Sequence, residues 1–332
     1  MSRRARRDAF LYAAVDHAPL LLFALVLATF AAGSEAFLSG RNLVNILTQA
    51  ASTALVATGM TLVLLTGGVD LSVGSVMFVA AAVAGKLLLA GHSLPLALAA
   101  MLVVGVVAGA LNALLVVRLG VLPFVATLAT LFFGRGLGLW ITQTRAMNLP
   151  AGFLRLGAER VLGVPLPVLV LAAAMALAHA ILRSTPFGRE IHAVGHDAAA
   201  ARRAGLPVER RLAAVYVISG ACAALAGILA LAQLGAVSPT FGREKEFAAI
   251  AAAVLGGTSL FGGRGQVLPG TLLGALLIQT VENGLVVRNA DPYLYPLITS
   301  AVIFAAVLTD SLRSGWLARR HRRRIRPEDW VS

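Results

Sequence analysis

One cysteine, two lysines and fifteen acidic residues are all that 332 positions contain, and each shortage closes off a class of function. The cysteine, Cys222, falls inside an apolar run, where it reads as a small packing residue. A lone cysteine permits neither a disulfide framework nor a thiolate metal site, so redox chemistry is excluded as the main activity. The lysines, Lys86 and Lys245, precede Leu87 and Glu246, so neither completes the Gly-x-x-x-x-Gly-Lys-Ser/Thr loop that cradles nucleotide phosphates. No His-Glu-x-x-His, Cys-x-x-Cys or Gly-x-Ser-x-Gly pattern occurs either. His192 and His196 are four residues apart but have no acidic or cysteine company. The sequence therefore predicts no catalytic residues, no metal and no cofactor.

What the chain has instead is apolar length. It is 58% hydrophobic with a mean hydropathy of +0.85, far too apolar for a soluble protein. Its 28 basic residues give a net charge of +13, a value that in a soluble chain would point to nucleic acid. Here the bases cluster in short segments between apolar runs, as the positive-inside rule requires of cytoplasmic loops.

A membrane span needs about 20 apolar residues. By that measure the sequence predicts an all-α polytopic membrane protein of about ten transmembrane helices, with cores at 18–34, 44–66, 75–91, 95–117, 122–142, 164–182, 212–234, 247–258, 267–287 and 292–310. The eighth is too short to cross unaided and reads as a broken or re-entrant segment. With the N-terminus inside, 19 of the 28 bases fall on the inner side, so both termini are predicted cytoplasmic. Residues 1–17 form a basic N-terminus, 18–310 the transmembrane domain with an inner loop at 183–211, and 311–332 a basic tail. Arg3, Arg4, Arg6 and Arg7 ahead of the first run read as an uncleaved signal anchor. Trp140 and Trp316 fall at span ends.

Two glycine-rich breaks interrupt the apolar pattern. Gly67-Gly68-Val69-Asp70-Leu71-Ser72-Val73-Gly74-Ser75 places a carboxylate between two apolar runs, at a cost of about 2.5–3.5 kcal/mol if it sat unaided at the bilayer centre. Irregular backbone there survives only where protein or water satisfies it. The second break, Gly256-Gly257-Thr258-Ser259-Leu260-Phe261-Gly262-Gly263, shares Gly-Gly-x-x-Leu-x-x-Gly with the first. The echo reads either as internal duplication or as chance in a glycine-rich chain. Charge topology places both breaks near the inner face, so Asp70 is expected near the cytoplasmic end, organising the break by accepting backbone N–H groups or capping the next helix, as a hinge or gate.

The inner loop carries its own helix signal. Asp197 is a suitable cap, Ala198 to Arg203 are strong helix formers, Gly205 can close the helix and Pro207 stops it. A second turn is expected near Arg189 to Ala193, with Gly195 between the two. The loop reads either as a prefolded plug for a groove on another protein or as a solvated basic loop that sets topology. Candidates for a polar path are Asn45, Gln49, Thr53, Asn112, Arg135, Glu282 and Asn283. Asn45, Gln49, Ser52 and Thr53 share one helical face. Interhelical hydrogen bonding is the competing reading for each of them.

Three motifs, in order and at spacings that cover nearly the whole chain, carry a resemblance. They are Gly68 to Ser75, Phe187-Gly188-Arg189 through Ala201-Arg202 and Gly205, and Leu255 to Gly265. The chain resembles the permease subunit of bacterial ATP-binding cassette importers of the ribose, xylose and rhamnose branch. Asp197 departs from the family's usual Asn, His196 from its usual Gly, and Glu282 is another less expected residue. The resemblance implies a monosaccharide translocation path in the bacterial inner membrane and no catalysis by this chain. It implies three partners: a second permease subunit as homodimer or paired heterodimer, a cytoplasmic ABC ATPase, and a periplasmic or extracellular sugar-binding protein. It also implies that Gly188, Arg189, Gly195, Asp197, Ala200, Ala201, Arg202 and Gly205 serve coupling, and that Gly68, Asp70, Ser72, Gly74, Ser75, Gly256, Gly257, Gly262 and Gly263 form a gate. An ion-coupled secondary transporter with Asp70, Arg135 and Glu282 as a relay is the alternative. A membrane-embedded enzyme is a third reading, for which no nucleophile, metal set or acid pair is recognisable.

Overall fold

The computed structural model describes residues 18–34 and 36–295, and beyond these only 297–301, 304 and 308. The basic tails 1–17 and 311–332, Trp316, and part of the tenth run lie outside the described residues. Among the described residues six helices are long and apolar enough to cross a membrane: Gly40–Leu65, Leu94–Arg118, Pro123–Thr142, Leu166–Ser184, Val208–Leu234 and Val267–Val287. Shorter apolar helices accompany them. The chain is a multi-pass helical membrane protein.

The helices run α1 (Ala18–Ala31), α2 (Gly40–Leu65), α3 (Val73–Leu89), α4 (Leu94–Ala113) and α5 (Pro123–Thr142). Ser39 starts α2 by accepting the Asn42 N–H at 3.3 Å. Proline sits in the first turn of α4 and of α5, where its missing N–H is no loss. A π-helical turn, Leu114–Arg118, extends α4. Then come α6 (Ala151–Ala158), α7 (Leu166–Ser184), α8 (Pro186–His196), α9 (Ala198–Arg203), α10 (Val208–Leu234), α11 (Lys245–Leu255) and α12 (Leu272–Val287), the last preceded by a π turn at Val267–Thr271.

Two minimal antiparallel strand pairs qualify the all-α expectation. β1 (Met147–Asn148) pairs with β4 (Ala236–Val237), and β2 (Arg160–Val161) with β3 (Val164–Pro165). The helix α6 was not legible in the sequence either, because its eight residues lie in what reads as a polar loop.

α10 packs along α4, α2 and α3, and forms the axis of the bundle. Gly105 and Gly109 of α4 press directly on Gly220 and on the Tyr216–Val217 backbone of α10, so the small-residue spacing has a packing role. α2 from Ala50 onward and most of α3 are buried, whereas α4, α5 and α7 expose Val103, Val107, Phe132, Phe133 and Leu177. An outer face of bare apolar side chains is what lipid requires. Trp140 is exposed at the Thr142 end of α5, consistent with an interfacial aromatic.

Candidate functional site

Three glycine-bearing segments meet at the Leu65 end of α2. Thr185 caps α8 by accepting the Gly188 N–H, and Pro186 opens its first turn. The helix so formed is longer than the single turn expected around Arg189 to Ala193. Gly195, expected between two helices, lies inside α8, and a methyl group there would overlap the Leu65 carbonyl. That same carbonyl accepts the Gly263 N–H at 2.9 Å. Gly262 in turn rests on the Gly195 carbonyl and beside Gly67 N. The first break, the second break and the inner-loop helix are therefore one contact, with His192 Nε2 3.4 Å from the Gly265 carbonyl at its edge.

The rest of the inner loop folds on itself. Asp197 Oδ1 accepts the Ala200 N–H at 2.8 Å and caps α9 as expected, and this bond holds the carboxyl below its ordinary value. Gly205 closes the helix at φ +80. Ala201 turns inward and is buried with Val194 and Val208, whereas Ala200, Arg189 and Arg202 are exposed. Arg202 pairs with Glu209 at 2.6 Å, and Arg211 with Glu190. Gly188 is buried against the Leu182 backbone. Of the eight loop residues assigned to coupling, Gly188, Gly195 and Ala201 thus shape the loop from within.

Asp70 lies deeper than the sequence places it. Its Oδ2 accepts from Ser219 Oγ at 2.8 Å, and Ser219 stands eleven residues past Val208, about 17 Å along α10. The expectation of a position near the end of the bundle is corrected by this bond. The break leaves α2 at Leu65 and climbs back inside before α3 begins, so a helical turn count from Leu65 misplaces the acid. Asp70 Oδ1 accepts the Ser72 N–H at 3.0 Å and Ser72 Oγ at 2.6 Å, so it ties the break rather than capping α3. Asn112 Nδ2 donates to Ser72 Oγ at 2.8 Å and Thr130 Oγ1 donates to Asn112 Oδ1 at 2.7 Å. One buried network thus joins α5, α4, the break and α10. Gly68 is buried beneath the Tyr216 hydroxyl, and Ser75 Oγ bonds the Ser72 carbonyl at 2.8 Å. Asn112 belongs to this network and not to an open path.

A second re-entry meets the first. After α10 the chain turns at Gly235, pairs as β4, and dips to start α11 level with the middle of α2, where Lys245 Nζ donates to Thr53 Oγ1 at 3.0 Å. Arg135 holds this descent by donating to the Phe241 and Gly242 carbonyls, each at 2.6 Å. Gly74, in the first turn of α3, touches Gly242 and Glu246, in the first turn of α11. α3, of 17 residues, and the short α11, of 11, thus begin side by side inside the bundle. Half-helix starts facing one another at the centre of a membrane fold are characteristic of transporters. The sequence pairs Gly67 to Gly74 with Gly256 to Gly263, and those segments do touch; the counterpart of the α3 start is 242–246.

Between α2, α11 and α12 lies a cavity of about 630 Å³ whose mainly apolar wall carries a few polar and charged side chains. Gln49, Lys245, Gln279, Glu282 and Asn283 line it. Gln279 Nε2 donates to Gln49 Oε1 at 3.0 Å, and Asn283 exchanges two amide bonds with Asn42. The α2 stripe divides: Gln49 and Thr53 serve this side, Ser52 bonds the Ala226 carbonyl of α10 at 3.1 Å, and Asn45 is exposed. Asp70, Arg135 and Glu282 share no hydrogen bond among the described residues. Sequence reasoning missed Ser219 and Gln279, polar residues in apolar runs with no periodic signal, and Lys245, which lies in the charged cluster Arg243 to Glu246 and reads as an outer-loop base. Gly256 packs on the Gly270 backbone and Gly257 is exposed, so these two sit at the far end of α11, away from the cavity.

Apolar helices of spanning length, re-entrant segments that meet inside the bundle and a cavity beside them define a polytopic membrane permease. The chain belongs to the family described as branched-chain amino acid transport system / permease component, which matches residues 42–307. A ribose import permease protein of Haemophilus influenzae is 37% identical over 83% of this chain and 86% of its own length. One of Bacillus subtilis is 38% identical over 85% and 88%. A D-allose transport system permease protein of Escherichia coli is 36% identical over 88% and 90%. No solved structure matches the chain.

Proposed function

We propose that this chain is the permease subunit of an ATP-driven importer that passes a monosaccharide across the bacterial inner membrane, with about ten spans and both termini cytoplasmic. A separate ABC ATPase docks on the inner loop, a periplasmic or extracellular sugar-binding protein delivers the solute, and a second permease subunit completes the path. The relatives named above are two ribose import permeases and a D-allose transport system permease, and their similarity runs nearly end to end.

The observation that carries the reading is the contact of Gly195 with the Leu65 carbonyl. α8 is locked to the end of the most buried helix and, through Gly262 and Gly263, to the far end of the half-helix α11. A push on α8 is therefore transmitted to both re-entrant segments, and through them to the mid-depth cavity. Tight packing of this kind moves by discrete shifts and not by gradual bending.

The cavity is open at one side, where Phe247 and Val286 are exposed, and a second permease subunit would close it there. The ion-coupled alternative requires a charge relay, and among the described residues no hydrogen bond or ion pair links Asp70, Arg135 and Glu282 to one another. The test is reconstitution of this chain with its cognate ATPase and binding protein in vesicles. Sugar uptake that needs ATP is the expected result; uptake by this chain alone under a proton or sodium gradient would overturn the proposal.

A further inference from the structure

The charges of the mid-depth cavity are arranged for a guest. Lys245 and Glu282 both line it, yet among the described residues no ion pair joins them. Among the described residues Lys245 spends one donor on Thr53 and keeps two, and Glu282 makes no hydrogen bond. Opposite charges at membrane depth that stop short of each other are costly, and they are kept where something polar bridges them. The Gln49–Gln279 amide pair leaves one N–H group pair and one carbonyl facing the same space. Tyr295 contributes an aromatic side chain to the wall. The volume, about 630 Å³, falls in the range of roughly 300–1,000 Å³ typical of small-molecule sites.

The charged lining cancels: Arg243 and Lys245 are matched by Glu244 and Glu282. A net anion or cation gains nothing from such a lining. A solute with adjacent hydroxyls gains much, because each hydroxyl both donates and accepts. We infer that Lys245, Glu282, Gln49 and Gln279 form a translocation subsite for an uncharged polyhydroxylated solute. One hydroxyl accepts from Lys245 Nζ and its neighbour donates to the Glu282 carboxylate, while the amides hold the adjacent pair. This rests on the importer reading and adds to it the residues that recognise the solute inside the membrane.

The inference is tested on the full permease–ATPase complex with its binding protein in vesicles, with labelled D-ribose, D-allose and D-galactose as probes. Binding of the transported sugar to the detergent-solubilised permease–ATPase complex is measured alongside, without binding protein. Glu282→Gln and Lys245→Met are each expected to lower uptake at least tenfold and to abolish binding. The paired exchange Lys245→Glu with Glu282→Lys is expected to restore uptake to within threefold of wild type, a recovery that a purely structural role does not give. D-glucuronate is expected not to compete in the binding assay. Uptake by both single variants that stays within twofold of wild type overturns the subsite alone, as does equal competition by D-glucuronate. Failure of the wild-type complex to take up any of the three sugars overturns the importer reading and the subsite with it.

Discussion

Ser219 Oγ donates to Asp70 Oδ2 at 2.8 Å, so the axial helix α10 is bonded to the carboxylate of the first re-entrant break. Asp70 Oδ1 accepts from Ser72 Oγ, and Asn112 Nδ2 donates to that same Oδ1 at 3.3 Å. Asp70→Ala therefore strands several buried donors at once, whereas Ser219→Ala removes one bond. An unsatisfied buried polar group costs about 1–3 kcal/mol, and single polar contacts in membrane bundles average about 0.6 kcal/mol. Asp70→Ala is expected to lower the thermal transition in detergent clearly, and Ser219→Ala by much less. Equal effects of the two substitutions, followed by fluorescence-detected size exclusion, would sink the network account.

Gly195 and Gly205 make opposite predictions from one residue type. At Gly195 the φ is ordinary and the space is filled by Leu65, so Gly195→Ala forces α8 away from α2. At Gly205 the φ is +80 and nothing lies near, so Gly205→Ala strains only the local backbone. Gly195→Ala is expected to leave ATP hydrolysis running and cut sugar uptake at least tenfold. Gly205→Asn, which tolerates the left-handed conformation, is expected to retain most uptake. Paired measurement of hydrolysis and uptake separates the two sites.

How much of this was legible follows from which physical signal each feature leaves. Spans and the α9 cap were readable because hydropathy and the Asp197 to Gly205 pattern are local. Val208 starts α10 four residues before its apolar core at 212, since Pro207 and not hydropathy sets the boundary. The descent at 238–244 was not readable. Ser238, Thr240 and Gly242 look like an ordinary outer loop, and only Arg135, thirteenth in α5, shows that the loop reaches mid-depth. The depth of Asp70 was lost for the same reason: re-entry reverses chain direction without leaving a compositional mark. Polar path residues are likewise set by which helix faces which, a long-range fact absent from any window.

Arg135 forks onto two carbonyls, a geometry that the lysine point charge does not reproduce. Arg135→Lys is expected to keep the protein folded but loosen the 238–244 descent, with uptake down at least fivefold. Accelerated hydrogen exchange confined to 238–246 would be the signature. An unchanged exchange pattern with normal uptake would show that the clasp is dispensable.

Asp197 gives the pH behaviour of the inner loop. Its bound pKa lies below the ordinary 3.8 because the charged form accepts the Ala200 N–H. A group with a lowered folded pKa contributes fully above its unfolded value and loses the contribution as pH falls through the folded one. The cap is thus intact across neutral pH and weakens only below about pH 4. Asp197→Asn keeps a cap without the titration. Amide exchange at Ala200 is expected to quicken on acidification in wild type relative to Asp197→Asn; parallel profiles would contradict it.

Ala200 and Ala201 are neighbours in α9 with opposite surroundings, and this separates docking from folding. Ala201 packs with Val194 and Val208, so Ala201→Glu buries a charge in the small core that holds α8, α9 and the start of α10 together. Its failure would reveal nothing about a partner. Ala200 is exposed and its N–H, not its side chain, serves the cap. Ala200→Glu leaves that core untouched while altering the surface offered to an ATPase. It is expected to preserve expression and the thermal transition, to weaken co-purification with the ATPase, and to reduce uptake per ATP hydrolysed. Ala200→Ser, which changes the surface little, should behave as wild type. If Ala200→Glu couples normally while Ala201→Glu does not, the loop matters for its own fold and the docking face lies elsewhere.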